Sequence, residues 1–353
     1  MVNKAVANPE LATKCSCADA QHCKPITGPP TAPKEVFGFV TTSKWESTMN
    51  WTHVTTVAWA SSVCEAHKNG ARVVMAAPSV PFNATADERR QWVTGIVEAV
   101  EGGGFDGVTF DFESPLAAGS KQVEEYTAAV RAARDGLHTA NPSYQVSVCV
   151  GWSPDAIDGR AYDYKGLSEA SDVLFVMDYD TRSQITTQCI ASANAPLPGA
   201  ILGMQHYMNL GIPASKLVLG VPWYGYRYEC LAGTPPDSAY CPIPLKPFRG
   251  VNCSDAAGSE VGYTSILDKA TGPNVTRALS YDSSMMAPYF NVIEEGKVVQ
   301  YWFDDAKSLT LKYEWAKSAG LKGVGPYTFD YAVPSKHTAE TLGMWSSIDA
   351  FVA

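Results

Sequence analysis

Short apolar runs alternate with amphipathic stretches along most of the chain. Between two such runs, Trp92, Val93, Ile96, Val97 and Val100 recur at helical spacing. Near-continuous apolar strands separated by helices are typical of a parallel sheet covered by helices, and eight of them close a (β/α)8 barrel. The predicted strands cover residues 35–41, 54–60, 71–77, 105–113, 144–151, 172–179, 216–222 and 323–329.

Local signals mark where the helix before the fourth strand begins and ends. Thr85-Ala86-Asp87-Glu88 is a capping-box pattern, which predicts a helix start. The segment Gly102-Gly103-Gly104-Phe105-Asp106-Gly107 formally matches the dinucleotide-binding pattern Gly-x-Gly-x-x-Gly. Phosphate binding requires that pattern between a strand and a helix, whereas here it precedes a strand. We therefore interpret it as a helix end followed by a loop.

The alternation of strands and helices is interrupted once. Residues 226–299 contain Pro235-Pro236, three cysteines and short aromatic runs such as Pro288-Tyr289-Phe290. This stretch is too long for an ordinary loop, so we predict an inserted subdomain. We assign residues 1–30 to a cysteine- and proline-rich N-terminal segment and residues 31–353 to the barrel with its insertion.

Composition narrows the possible partners. Hydrophobic residues make up 46% of the chain and charged residues 18%, which is enough to build a large core. The net charge of -9 argues against a nucleic-acid partner, because phosphate binding requires basic patches. No run approaches the roughly 18 consecutive apolar residues of a membrane span, so we expect no membrane association.

Nine cysteines are more than a cytosolic enzyme of this size usually carries, and disulfides are the use we predict. Their spacings do not match zinc-ribbon templates, so we expect no metal site. The odd number leaves one thiol, and Cys149, within an apolar strand, is the candidate for a buried one.

Four Asn-x-Ser/Thr acceptors, together with the cysteines, favour a lysosomal or secreted protein. They begin at Asn50, Asn83, Asn252 and Asn274. Residues 1–13 lack the apolar core of a signal peptide, so we expect that signal to be absent from this sequence.

The candidate chemistry lies in the fourth predicted strand, which ends in two carboxylates with one residue between them. Successive strand side chains point to opposite faces, and the rise of about 3.3 Å per residue puts Asp111 and Glu113 roughly 7 Å apart at the backbone. Two such carboxylates can split their pKa values, which keeps one protonated as a general acid, or they can form a structural acidic pair. The two faces comprise Val108, Phe110 and Phe112 on one side, and Thr109, Asp111 and Glu113 on the other.

Residues 106–113 resemble the strand-4 signature of glycoside hydrolase family 18, Asp-x-x-Asp-x-Asp-x-Glu, whose final Glu is acid and base. Asp106, Asp111 and Glu113 match it. Thr109 departs from it, because the family usually has Asp there. The departure leaves the catalytic Glu and its nearest Asp in place but removes one member of the relay behind them.

Two later segments extend the resemblance in the same order along the chain. Met177-Asp178-Tyr179-Asp180 resembles the family motif Met-x-Tyr-Asp, whose Tyr holds the acetamido group of the substrate. Gly220-Val221-Pro222-Trp223-Tyr224-Gly225 resembles the strand-7 segment. On its residues alone, the first of these could equally be a strand end with a buried Tyr.

The resemblance implies an α/β fold, a (β/α)8 TIM barrel with a small α+β insertion between strands 7 and 8, and a substrate-assisted retaining mechanism. It implies N-acetylglucosamine oligosaccharides as partners and no cofactor, and we expect a monomer. The predicted catalytic residues are Glu113, Asp111 and Tyr179. The substrate-binding candidates are Asp106, Met177, Asp180, Trp152, Trp223, Tyr224, Trp302 and Tyr327, although each aromatic residue could equally belong to the core.

Several shorter segments resemble one branch of the family, which removes N-acetylglucosamine from the reducing end of chitooligosaccharides. They include Trp152-Ser153-Pro154, Ala193-Asn194-Ala195-Pro196 and Phe248-Arg249-Gly250. An endochitinase is the alternative within the family. A chitin-binding lectin on the same fold is the alternative of another class, but it arises when the final Glu is lost, and here Glu113 is present.

Overall fold

The protein is described by a computed structural model over residues 15–333 and 335–353. Eight of its strands close into a parallel barrel, which confirms the predicted fold. The barrel strands up to the insertion are β1 Glu35–Phe39, β2 Thr56–Ala58, β3 Arg72–Ala76, β4 Gly107–Phe110, β5 Gln145–Gly151, β6 Val173–Met177 and β7 Leu217–Pro222. They are followed by β8 Tyr224–Glu229, β9 Gly258–Gly262, β10 Val275–Asp282, β11 Ala287–Glu294, β12 Lys297–Trp302 and the last barrel strand, β13 Gly323–Tyr327.

Strand alternation divides the apolar side chains between two regions. Val108 of β4 lies opposite Val146 of β5, and both belong to the cluster between the strands and the helices. Phe37, Cys149 and Phe175 belong to the cluster that fills the barrel. Because both faces of the barrel wall are buried, its strands are apolar along most of their length, which is the pattern that the sequence shows.

Helices lie on the outside of the barrel and beside the insertion. They are α1 Cys64–Lys68, α2 Ala86–Gly103, α3 Lys121–Ala140, α4 Tyr164–Ala170, α5 Leu197–Asn209, α6 Tyr263–Ala270, α7 Ala306–Ser318, α8 Thr338–Ser346 and α9 Asp349–Val352. The predicted capping box of Thr85 and Glu88 starts α2. Gly104 ends α2 with a φ of 71°, a conformation that glycine adopts without strain. The glycine-rich segment is therefore a helix end and a loop, as predicted.

The insertion is a second, antiparallel sheet with the strand order β10-β11-β12-β8-β9, and α6 accompanies it. It lies between the seventh and eighth barrel strands, as predicted. Its first strand begins two residues after β7 ends, so Trp223 alone separates the barrel from the insertion. The division at residue 30 stays a prediction, and residues 1–14 of that segment lie outside the described residues.

Disulfides hold the loops of the molecule, as the cysteine count predicted. The pairs are Cys15–Cys23, Cys17–Cys64, Cys189–Cys253 and Cys230–Cys241, and Cys149 is the buried free thiol. The third pair joins the loop after β6 to the insertion. In the part of the chain that the structure describes, no helix is long and apolar enough to cross a membrane.

Candidate active site

The two carboxylates of the fourth strand lie just past its end. β4 stops at Phe110, so Asp111 and Glu113 stand at the carboxyl edge of the barrel, where (β/α)8 enzymes carry their reactive groups. The alternation continues beyond the strand, since the rings of Phe112 and Tyr126 of α3 are 5.0 Å apart between centroids. On the opposite face, Thr109 is fully buried and its Oγ1 lies 3.9 Å from Sγ of Cys149. The predicted division of the two faces is therefore confirmed.

Glu113 forms an ion pair with an arginine that the sequence analysis did not select. Nη1 of Arg160 donates to Oε2 of Glu113 at 3.1 Å, and Nη2 donates to Oδ2 of Asp158 at 2.8 Å. The side chain of Arg160 is 9% exposed and that of Glu113 is 37% exposed, so the pair lies at the border between the wall and the solvent. Burial opposes the charged form of Arg160, but the charges of Glu113 and Asp158 outweigh it and raise its pKa.

A tyrosine fixes the backbone on both sides of Glu113. The hydroxyl of Tyr162 lies 3.0 Å from the carbonyl oxygen of Phe112 and 2.6 Å from that of Ser114. Burial raises the pKa of Tyr162 far above its usual range, so the phenol keeps the proton that it donates. The loops after β4 and β5 are held together at this point.

Tyr179 stands at the mouth of the barrel near both carboxylates. Burial raises its pKa well above the usual range, and the charges of Asp111 and Glu113 contribute in the same direction. Its ring lies 5.9 Å from that of Tyr224 and 5.6 Å from that of Tyr327, between centroids. The fold therefore brings together the three predicted catalytic residues, Glu113, Asp111 and Tyr179. The aromatic rings of Tyr224 and Tyr327 pack around Tyr179 and form the floor of the site.

Other predicted binding residues line the same mouth. Met177 is buried in the cluster that contains Tyr179. The hydroxyl of Tyr224 donates to Oδ1 of Asp180 at 2.6 Å, and the amide of Asp180 donates to Oδ1 of Asn194 at 2.8 Å. These bonds fix Asp180 in a turn with a φ of 53°, which presents its carboxylate beside the tyrosines.

Trp59, at the end of β2, is a mouth residue that the sequence analysis missed. It is partly exposed and packs edge-on against Tyr327, with 6.3 Å between ring centroids, and against Phe39. Its φ of 67° is rare for a bulky residue, and its Nε1 has no hydrogen-bond partner among the described residues. A tryptophan directly after a barrel strand was the signal that could have identified it.

Asp106 does not fit the substrate-binding role that we predicted. It precedes β4, at the end of the barrel opposite Asp111, and is fully buried. Its Oδ2 lies 2.7 Å from Nε2 of His67, and its Oδ1 accepts from the amide of Ile26 at 2.6 Å. The carboxylate instead fastens the N-terminal segment to the barrel, because a buried charge requires such partners.

Two of the predicted tryptophans are buried and not available for stacking on a sugar. Trp223 is fully buried outside the barrel, with its ring edge-on to Trp345 of α8 at 4.9 Å between centroids. Trp302 is buried in the inserted sheet, stacked on Tyr289 at 4.4 Å, and donates from Nε1 to Gln300. Both are core residues, because the surrounding protein leaves almost none of either side chain exposed to a sugar.

Trp152, by contrast, lines an open cavity of about 190 Å³ beside the carboxylate network. Ser183, which also lines the cavity, donates from Oγ to Oδ1 of Asp158 at 2.8 Å. Asp158 in turn binds Arg160, the partner of Glu113. The cavity is therefore joined to Glu113 through three side chains.

The inserted subdomain supports the loop that lines this cavity. Nε2 of Gln184, a lining residue, donates to the backbone oxygen of Arg249 in the insertion at 3.0 Å. The amide of Ile185 donates to the oxygen of Cys253 at 2.9 Å, and Cys253 is bonded to Cys189. Burial, together with the charge of Asp158, raises the pKa of Asp255 in the same inserted loop to about 7.

Asp178, which precedes Tyr179 in the chain, belongs to a second cluster of buried ionisable residues together with Asp304 and Lys312. Asp178 is fully buried, and neither of its carboxylate oxygens has a hydrogen-bond partner in the described part of the chain. Nζ of Lys312 is 2.7 Å from both carboxylate oxygens of Asp304. Burial raises the pKa of Asp178 to about 7, despite the opposing charge of Lys312.

A carboxylate pair at the mouth of a (β/α)8 barrel, beside an aromatic-lined floor, is the arrangement of a glycoside hydrolase. Comparison with known proteins agrees with that class. The family model of glycosyl hydrolases family 18 matches residues 36–332, and the chain belongs to this family.

Relatives over nearly the whole chain are di-N-acetylchitobiases. That of Rattus norvegicus is 37% identical over 349 residues, covering 96% of this chain and 93% of its own. That of Homo sapiens is 36% identical over 344 residues, covering 94% and 88%. The chain is thus a family 18 glycosidase.

Solved structures share the fold at low sequence identity. A family 18 chitinase mutant of Cycas revoluta in complex with (GlcNAc)4 has a TM-score of 0.68 and 16% identity, covering 90% of this chain and 99% of its own. A family 18 N-acetylglucosaminidase of Paenibacillus barengoltzii has a TM-score of 0.66 and 17% identity, covering 89% and 99%.

Proposed function

We propose that this enzyme hydrolyses β-1,4-linked N-acetylglucosamine oligosaccharides by substrate-assisted retaining catalysis and removes one sugar from the reducing end. The substrate class is supported by the di-N-acetylchitobiase relatives and by the GlcNAc oligosaccharides in the complexes of structural neighbours. The choice of the bond that is cut is supported by the small cavity beside the carboxylate network. The chemistry requires neither a metal nor an organic cofactor.

The proposed mechanism assigns one role to each of three side chains. Glu113 donates a proton to the oxygen of the leaving sugar while the acetamido oxygen of the substrate attacks the anomeric carbon and the glycosidic bond breaks. Asp111 orients the acetamido group and stabilises its developing positive charge, and Tyr179 holds it in place. Glu113 then takes a proton from water, which attacks the same carbon and restores the acetamido group, so the configuration is retained.

The cavity lined by Trp152 carries the reducing-end assignment. Glu113 must lie beside the glycosidic oxygen that is protonated. Asp111 and Tyr179 lie toward the barrel from Glu113, where they would bind the sugar whose anomeric carbon is attacked. The cavity beyond Arg160 and Asp158 then takes the leaving sugar. Its volume of about 190 Å³ is below the ~300–1,000 Å³ of drug-sized sites, which fits one sugar ring better than a chain.

The first-cleaved bond tests this assignment. Chitotriose labelled at its reducing end should give labelled monosaccharide and unlabelled disaccharide in the first turnover. A reduced alditol end, which cannot present a closed ring to the cavity, should make a poor substrate. If labelled disaccharide appears first, or if chitin is cut internally with a rapid fall in viscosity, the enzyme is an endochitinase.

Replacing the acid separates a hydrolase from a lectin. We expect Glu113→Gln to keep the fold and to bind chitooligosaccharide, while turnover falls to a few per cent of wild type or less, because the amide retains the shape but transfers no proton. Turnover and calorimetric binding are measured on the same preparation. Substantial remaining turnover in the variant would contradict the role of Glu113. Binding by the wild type without any turnover would identify a lectin.

We further propose that the enzyme acts as a monomer in the lysosome or outside the cell. Four disulfides favour an oxidising compartment during folding. All four acceptor asparagines of the Asn-x-Ser/Thr sites, Asn50, Asn83, Asn252 and Asn274, are exposed. Mass spectrometry of the secreted protein before and after glycan removal tests this route.

A further inference from the structure

Arg160 joins two acidic side chains that come from different parts of the site. It donates from Nη1 to Glu113 and from Nη2 to Asp158, and its own side chain is 9% exposed. A guanidinium has no acceptor and does not lose its proton in proteins. The bond to Oε2 of Glu113 can therefore persist whether Glu113 is a carboxylate or a carboxylic acid.

The backbone that presents Arg160 is held in an unusual conformation. Ala156 and Asp158 have φ values of 54° and 55°, a region that side-chain-bearing residues enter only when their surroundings enforce it. The amide of Leu116 donates to the oxygen of Gly159 at 3.0 Å, and the hydroxyl of Tyr164 donates to the oxygen of Arg160 at 2.5 Å. The loop after β5 is thereby bonded to the loop that carries Glu113.

We propose that Arg160 is a positioning residue for the acid–base step, and that Asp158 holds its guanidinium against Glu113. This inference rests on the proposed role of Glu113. A hydrogen bond at Oε2 fixes the plane of the carboxyl group and so the direction in which Oε1 points. Proton transfer is efficient only when that oxygen is aimed at the leaving oxygen, which is 2.6–3.2 Å away in a productive complex.

A positioning role for Arg160 and a purely structural role predict different effects on substrates with different leaving groups. In the first half-reaction the proton of Glu113 passes to the leaving oxygen as the glycosidic bond breaks. A sugar needs that proton in order to leave, whereas dinitrophenolate leaves without it. A misdirected acid therefore slows release of a sugar and leaves release of dinitrophenolate nearly unchanged.

The experiment compares kcat/KM of Arg160→Met on chitobiose and on dinitrophenyl N-acetyl-β-glucosaminide. We expect a fall of about 100-fold or more on chitobiose, in the range of general acid catalysis, and less than about 5-fold on the aryl glycoside. The loss on chitobiose should appear in kcat, since Glu113 acts in the transition state. Arg160→Lys should recover less than about one tenth of the loss, because an ammonium lacks the planar fork that spans both carboxylates.

Arg182→Met is the matched control, since Arg182 is a partly buried arginine of the neighbouring loop that donates to the backbone oxygen of Ile190. It should lower the thermal midpoint without changing the ratio of the two substrates. If Arg160→Met lowers both substrates equally, or neither, Arg160 does not position the acid. If Arg160→Met does not fold, the ratio measured with Arg160→Lys decides in the same way. A wild type that cleaves neither substrate refutes the proposed function instead.

Discussion

At residue 109 a threonine occupies the position where the family pattern has an aspartate. The structure places it inside the barrel, fully buried, with its hydroxyl 3.9 Å from the thiol of Cys149. A buried carboxylate at this point would lie one strand alternation below Asp111. Like charges so placed raise each other's pKa, and their protons leave as a coupled set.

Thr109→Asp should therefore move the pH optimum of kcat/KM upward, by roughly half a unit to one unit. The variant should also lose about 1–3 kcal/mol of stability, because the new polar group is buried. Thr109→Asn is the control, since it has a similar shape without the charge. An unchanged pH profile in Thr109→Asp would place residue 109 outside the set of coupled groups.

At the scale of elements, the site depends on two loops that do not follow each other in the chain. The loop after β6 supplies Ser183 and Gln184 to the cavity, and the insertion supports this loop through the backbone oxygens of Arg249 and Cys253. Cys189–Cys253 is the covalent tie between these loops. Because loops are more mobile than the elements they connect, this tie fixes the loop that lines the cavity against the insertion.

Removing the tie in Cys189→Ser/Cys253→Ser should let labelled disaccharide appear among the first products from chitotriose labelled at its reducing end. Stability should fall by about 2–4 kcal/mol, as for other native disulfides. The double variant Cys230→Ser/Cys241→Ser, which opens a disulfide elsewhere in the insertion, should lose stability but keep the product pattern. The same product pattern in both variants would mean that the contact between this loop and the insertion does not select the bond.

At the scale of the whole molecule, Asp178 makes the free energy of unfolding depend on pH. Burial raises its pKa to about 7 in the folded protein, against an ordinary value of 3.8 for an aspartate carboxyl. The folded chain therefore keeps a proton that the unfolded chain releases between these two pH values. The contribution of Asp178 to stability is fully present below the pKa of the unfolded chain. It is lost as the pH rises toward the pKa of the folded protein.

The free energy of unfolding should accordingly fall between about pH 4 and pH 7, by up to about 1.4 kcal/mol per pH unit for one such group. Asp178→Asn should reduce the slope by about half, because Asp255 titrates over the same range. Urea titrations across that range measure the slope. Asp135→Asn, on the exposed side of α3, is the control and should keep the wild-type slope. An identical slope in Asp178→Asn would show that Asp178 does not carry this dependence.

The sequence by itself determined the architecture and the centre of the candidate site. Strand periodicity and helix signals are local, so eight apolar strands, the capping box of Thr85 and the helix end at Gly104 could be predicted from neighbouring residues. The carboxylates Asp111 and Glu113 were recognisable for the same reason. They lie two residues apart, and strand geometry alone places them on one face.

Only the tertiary structure decided which residues surround that centre. Arg160 meets Glu113 from a position 47 residues away, and Asp106 turns toward His67 at the opposite end of the barrel. Trp223 and Trp59 have the same side chain, yet one is enclosed by α8 and the other lies at the mouth. These outcomes depend on which elements pack against each residue, and packing partners are set by closure of the barrel, which no local pattern contains.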